Sequence, residues 1–202
     1  MKSAFTFIFA LIMIVSTQAT LAAEETVITN FSFVKAKFKQ TRTLPGIKQG
    51  IASEGAVYFY QGKGLIWKTT SPYQSTILIN SKGVFQLSNS LEIDEDDSDD
   101  SFIFMEMVKI FSAIISNDLS VLKEYFQIKS AALNKQQMQH ELKPVNSDMA
   151  NYVSLVKVIA GRHIERVELI EANGSVTQTI YKTVTESMQS LSSHERKMVE
   201  ML

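Results

Sequence analysis

Cysteine is absent from the 202-residue sequence. That excludes a disulfide framework, a thiolate metal site, a cysteine nucleophile and a thiol acceptor for a lipid anchor. Histidine occurs three times, at His140, His163 and His194, in separate segments and at no metal-ligand spacing. Proline also occurs three times and glycine eight, too few for a collagen-like or low-complexity chain. Charge is scarce and balanced, with 20 basic against 21 acidic residues. A disordered tail or a nucleic-acid-coating protein would need more of it, and of one sign. No G-x-S-x-G elbow, phosphate-binding loop, G-x-G-x-x-G or H-E-x-x-H motif occurs. The chain therefore nominates no catalytic residue, no metal and no cofactor, and is expected not to be an enzyme.

What is present is apolar: 45% of the residues are hydrophobic, enough to fill a sizeable core. The first of them look like an export signal. Met1-Lys2 supplies a positive start, Ala4 to Val15 carries no charge, and Thr20-Leu21-Ala22 places small residues at the −3 and −1 positions of a cleavage site. Ala4 to Val15 would reach about 18 Å as a helix, short of a hydrocarbon core of about 30 Å. Residues 1–22 are expected to be a cleavable signal peptide and residues 23–202 a single exported domain.

After Glu24–Asn30, long enough only for a turn or two of helix, the period becomes two. Val34, Ala36, Phe38 and Gln40 alternate with Lys35, Lys37 and Lys39, which predicts a strand with one apolar face and one solvated lysine face. Leu44-Pro45-Gly46 ends it. Strands are predicted over Ser53–Tyr60, Leu65–Thr70, Ser75–Asn80 and Val84–Leu87, separated by glycine- and proline-bearing turns. Further on, Gln137–Lys143, Tyr152–Ala160, Ile164–Glu171 and Val176–Val184 read as strands, the last two joined by Asn173-Gly174. Short strands at this spacing predict an antiparallel meander that curls into a barrel or part-barrel.

Between the two strand blocks the pattern breaks. Glu92 to Asp100 (EIDEDDSDD) is read as a solvated acidic loop; it lacks the turn glycine and the last-position glutamate of a calcium loop. A helix then runs over Phe102–Ser116, capped by the acidic residues before it. Its polar residues Glu106, Lys109, Ser112 and Ser116 form one narrow stripe, so it is more apolar than a surface helix requires. Asn117 and Asp118 cap a short helix through Phe126. Ser192 and Glu195 have capping-box spacing ahead of a terminal helix to about Met201.

Several stretches, taken in order, carry a resemblance. Phe38-Lys39-Gln40 is followed by Arg42 to Ile47 (RTLPGI), Gly55-x-Val57-x-Phe59, Gly64-Leu65-Ile66-Trp67, Ser71-Pro72 and Ser75 to Phe85 (STILINSKGVF). Phe111 to Leu122, Leu142-Lys143-Pro144 and Val167 to Gly174 extend the set. The order resembles LolA, the periplasmic carriers of outer-membrane lipoproteins, and more closely their LolA-related relatives. The resemblance implies an α+β, mainly β fold: an unclosed antiparallel half-barrel of about eleven strands, with a helical lid over a hydrophobic cavity.

It further implies a periplasmic, monomeric carrier that takes acyl chains of lipoproteins, or another lipid-linked molecule, from an inner-membrane donor complex to an outer-membrane acceptor. By resemblance Phe38, Val57, Phe59, Leu65, Trp67, Ile77 and Ile79 line the cavity, and Phe104, Met107 and Phe111 belong to the lid. The alternative for each position is ordinary core. The alternative for the whole is a non-catalytic accessory interaction protein of a cell-envelope complex with the same fold. One departure stands out: classical carriers of the family have an Arg-Pro pair whose arginine latches the lid, and Gln61-Gly62 occupies that place here.

Overall fold

The structure, a computed structural model, describes residues 32–80, 82–87, 93–94, 109–110, 112–114 and 118–202. Its frame is one antiparallel sheet. The first wing is β1 (Phe33–Thr43), β2 (Ile51–Tyr60), β3 (Gly64–Ser71), β4 (Ser75–Asn80), β5 (Gly83–Leu87) and the two-residue β6 (Ile93–Asp94). The second is β7 (Phe126–Ala132), β8 (Met138–Pro144), β9 (Val153–Ala160), β10 (Ile164–Glu171) and β11 (Val176–Thr185). The order across the sheet is β6-β5-β4-β3-β2-β1-β11-β10-β9-β8-β7, so each wing is a meander and β1 pairs with β11 at the centre. The edges β6 and β7 do not pair, which leaves an eleven-stranded open barrel. Right-handed twist accumulated over so many strands is what curls such a sheet.

Helices are few among the described residues. Asp118 caps α1 (Leu119–Tyr125), its carboxylate accepting from the amides of Ser120 and Val121. Asn146 caps α2 (Ser147–Ala150). Near the end, α3 (Ser193–Glu200) starts on the predicted capping box: Ser192 accepts from the Glu195 amide and Glu195 from the Ser192 amide.

Alternation along the strands puts one apolar cluster on each face of the first wing. The outer face carries the cross-strand row Lys35–Tyr58–Ile66–Leu78–Phe85. On it sit Met198 and Val199 of α3, and Ile66, Leu78, Met198 and Val199 are all 0–1% exposed. The inner face carries the other cluster, into which helical residues Ile110, Ala113 and Ile114 pack.

Three expectations need correction. The lysine face of β1 is not uniformly solvated: Lys37 and Lys39 are exposed, whereas Lys35 is half-buried beneath α3, with Nζ 2.5 Å from Glu195 Oε1. Residues 127–132, predicted as no element, form β7, and the helix before them ends at Tyr125 rather than Phe126. The acidic stretch is not wholly loop, because Ile93 and Asp94 pair with β5. The predicted N-terminal turns, the start of the 102–116 helix, Phe104, Met107 and Phe111 lie outside the described residues.

Candidate functional site

The inner face of the first wing is built in rows. Val34, Phe59, Leu65, Ile79 and Val84 are cross-strand neighbours on β1 to β5. One step along, Ala36, Val57, Trp67 and Ile77 make the second row. Phe38, one further step, lays its ring against Trp67 at 4.2 Å between centroids. Two glycines make this possible. A Cβ on Gly55 would stand 1.9 Å from the Lys68 carbonyl oxygen and 2.9 Å from Phe38 Cζ, and one on Gly64 (φ +149°) 2.1 Å from the Ile79 oxygen. The G-x-V-x-F and G-L-I-W stretches therefore have a steric reason: strands and a ring approach where a side chain would block them.

Seven of the ten residues expected to line a cavity are thus brought onto one face. Phe38, Val57, Phe59, Leu65 and Ile79 are buried there, while Trp67 and Ile77 are only partly covered. Val84, Leu169 and Val184 are likewise partly covered on this side. Among the described residues the layer packed on this face is a helical segment and α1 rather than a second sheet.

The second wing adds polar groups that sequence patterning did not nominate. A single inner row crosses seven strands: Ser53, Gln40, Thr179, Val167, Val158, His140 and Ser130. At one end Gln40 donates to Thr179 Oγ1 at 3.0 Å and accepts from Ser53 at 3.4 Å. At the other, Ser130 Oγ and His140 Nδ1 are 2.7 Å apart. His140 is 6% exposed, and burial pulls its pKa below the ordinary histidine value. Tyr181, the β11 neighbour of Phe38, is buried too, which pushes its phenol up. The second buried-side histidine, His163, stands 3.1 Å from Glu186, but burial still lowers its pKa, so the contact is a hydrogen bond at neutral pH. No group of three or more histidine or acidic side chains that would hold a metal occurs among the described residues.

The family model for the outer membrane lipoprotein carrier protein LolA matches residues 29–193. The chain belongs to the LolA family. Its members are periplasmic, non-catalytic carriers. Some solved structures are similar to the chain at low identity. A LolA superfamily protein from Nitrosomonas europaea is 8% identical, with a TM-score of 0.39 over 77% of this chain and 86% of its own. A chain of the MucA/MucB complex of Pseudomonas aeruginosa is 6% identical, with a TM-score of 0.46 over 84% of this chain and 57% of its own. A DUF1329 family protein from Desulfovibrio piger is 9% identical, with a TM-score of 0.36 over 87% and 93%. No curated protein sequence matches.

Against the LolA family pattern, Gln61-Gly62 forms the β2–β3 turn, with Gly62 at φ +74°. Gln61 is exposed, and its side chain bonds to no described residue. Gln40 of the F-x-Q stretch, by contrast, has a structural task, since it ties β2 and β11 to β1 across the inner face. His140 and Ser130 could have been found only by pairing β8 with β7, and β7 carries too weak a strand signature (FQIKSAA) to invite that.

Proposed function

We propose that the chain is a periplasmic carrier that shelters acyl chains of lipoproteins, or of another lipid-linked molecule, on the inner face of its half-barrel and moves them from inner to outer membrane. Residues 1–22 serve as the export signal of the domain that follows. One observation carries this reading: on the inner face Trp67, Ile77, Val84, Leu169 and Val184 remain partly uncovered under a helical layer, in a barrel that does not close. A sixteen-carbon chain left in water costs on the order of 12 kcal/mol at about 0.8 kcal/mol per CH₂. An apolar hollow offsets that cost, and a helix that packs into it keeps the hollow from water when no cargo is bound. Phe104, Met107 and Phe111 supply the lid in this reading, methionine being suited to repacking around variable cargo. Delivery then needs only an acceptor of higher affinity, such as a membrane-bound partner, and no catalytic group.

The test is mass spectrometry of the protein isolated natively from a periplasm, before and after Trp67→Ala. Co-purifying acyl species that fall several-fold in the variant support carriage. A protein free of lipid that also binds no acyl probe ends it.

A second role, as an accessory interaction protein of an envelope complex, is favoured by the rim at one end of the sheet. Ile47 and Ile51, Tyr73, and Val145 and Tyr152 gather there, at the β1–β2, β3–β4 and β8–β9 connections, and each is more than half exposed. Stable co-isolation with one envelope protein in the absence of lipid would decide for this role.

A further inference from the structure

The polar side chains on the inner row hydrogen-bond one another at both of its ends. Gln40 spends its amide nitrogen on Thr179 and its oxygen on Ser53. His140 spends Nδ1 on Ser130, and its Nε2 makes no hydrogen bond to the described residues, although the residue is 6% exposed. No buried side-chain nitrogen or oxygen among the described residues is sealed from solvent without a partner, so Nε2 keeps some contact with solvent. Its surroundings are apolar: Leu142 lies two residues along β8, Val158 is its β9 neighbour and both belong to the inner cluster. Ser130 is exposed, on β7, the edge strand where the sheet stops. The pair therefore stands at a boundary, with an apolar floor on one side and water across an unpaired edge on the other.

We infer that His140, oriented by Ser130, is the anchor for the acyl carbonyl of the cargo: the Ser130 hydroxyl donates to Nδ1, and Nε2–H donates to the ester or amide oxygen at the head of the chain. This rests on the carrier function proposed above and names what that site recognises. A neutral imidazole has one N–H, and burial keeps this imidazole neutral near pH 7. In the tautomer where Nδ1 accepts from serine, the hydrogen is on Nε2. A carbonyl is the matching group: it is the first polar atom above the tail, and it accepts without bringing a charge into an apolar site. The tail then runs over the inner rows toward Trp67, while the head leaves across β7. An anchor of this kind selects acylated molecules over alkyl ones, because an unfilled donor at a desolvated site disfavours the ligand that lacks its partner.

The experiment compares 1-palmitoyl- with 1-hexadecyl-lysophosphatidylcholine, which share headgroup and tail atoms and differ in the carbonyl. Each is titrated below its micelle concentration into the full exported chain, and Trp67, the single tryptophan, reports binding. The expected result is an affinity about tenfold higher for the ester, the equivalent of about 1.4 kcal/mol. His140→Leu should abolish that preference while leaving ether binding equal or tighter, and Ser130→Ala should reduce it two- to threefold by releasing the imidazole. Equal binding of both lipids by the unmodified protein overturns the anchor and leaves carriage standing. A preference that survives His140→Leu also overturns it. Binding of neither lipid overturns carriage and anchor together. The ester–ether comparison needs no variant, so a His140→Leu protein that fails to fold, judged by circular dichroism, does not remove the test.

Discussion

The two wings of the sheet solve different problems with the same alternation. In β2 to β5 both faces are apolar: one row holds Tyr58, Ile66, Leu78 and Phe85, and the opposite rows hold Val57, Phe59, Leu65, Trp67, Ile77 and Ile79. In β7 to β10 the outer face is mixed: one row reads Lys129, Glu141, Lys157, Glu168, charges of alternating sign across four strands, beside the half-buried Leu155, Ile159 and Ile170. A wing apolar on both faces must be covered on both, and α3 does this on the outside. The mixed face of the second wing carries less apolar surface to cover. The first wing thus has a sealed outer core backing an incompletely covered inner face. A rigid backing behind an incompletely covered apolar face suits the carrier role proposed above.

The sharpest way to break this comparison lies within β4, where neighbouring residues face opposite sides. Leu78 is 1% exposed beneath α3, so Leu78→Ala should cost about 3 kcal/mol of stability and leave acyl binding unchanged. For a chain of this length that corresponds to a melting temperature lower by about 9 °C in a calorimetric scan. Loss of binding at permissive temperature without loss of stability would show that the outer core is not mere backing.

Next in size is the clip that holds α3. Glu195 Oε1 accepts from Lys35 Nζ and from Tyr58 at 2.7 Å, and Oε2 accepts from the Ser192 amide at 2.9 Å. Burial by itself would raise the Glu195 pKa, but these donors outweigh it and hold it at about 2. The Tyr58 phenol is pushed up, by burial first and then by this carboxylate. A carboxylate with a depressed folded pKa stabilises the fold above its unfolded value, and the contribution fades as pH falls from about 4.5 toward 2. Glu195→Gln should remove about 2 kcal/mol at neutral pH and flatten the stability profile across that acid window. Chemical denaturation at a series of pH values reads both, and a slope unchanged by the substitution would show that the clip carries no such linkage.

Ile77 completes the β4 pair. It is partly covered on the inner face, so Ile77→Ala should cost only about 1 kcal/mol of stability while weakening acyl-probe affinity about tenfold. Equal losses at Ile77 and Leu78 in both assays would mean that the two faces are equivalent cores and the hollow is absent.

These contrasts were unequally legible in the sequence. Strong alternation made β1 to β5 and β9 to β11 readable, and the capping box announced α3 before any contact was known. The motif glycines, Phe38 and Trp67 stood out by resemblance, and the contact between the two rings and the steric reason for the glycines needed coordinates. Lys35 misled because period two states that it shares a face with Lys37 and Lys39, but not that a helix some 160 positions later sets a carboxylate above it. β7 was missed because Lys, Ser and two Ala give no β-branched signal, and an edge strand is set by its neighbour β8 more than by its own residues. The His140–Ser130 pair inherited that miss. Local pattern tells which residues share a face; what lies over the face is long-range information.

The smallest expected effect tests the charged wing. Lys157 Nζ lies 3.2 Å from Glu168 Oε1, and the side chains keep 37% and 25% of their exposure. Cross-strand pairs in that setting contribute up to about 1 kcal/mol, less once salt screens them. Lys157→Ala should therefore change stability by no more than about 0.5 kcal/mol at physiological ionic strength, and the difference should shrink further at 1 M salt. Acyl binding should not move, because β9 alternates and the Lys157 side chain points away from Val156 and Val158, which belong to the inner apolar cluster. If the substitution instead cost as much as Leu78→Ala, the outer face of this wing would be covered in solution, and the asymmetry that assigns the inner face to cargo would lose its reason.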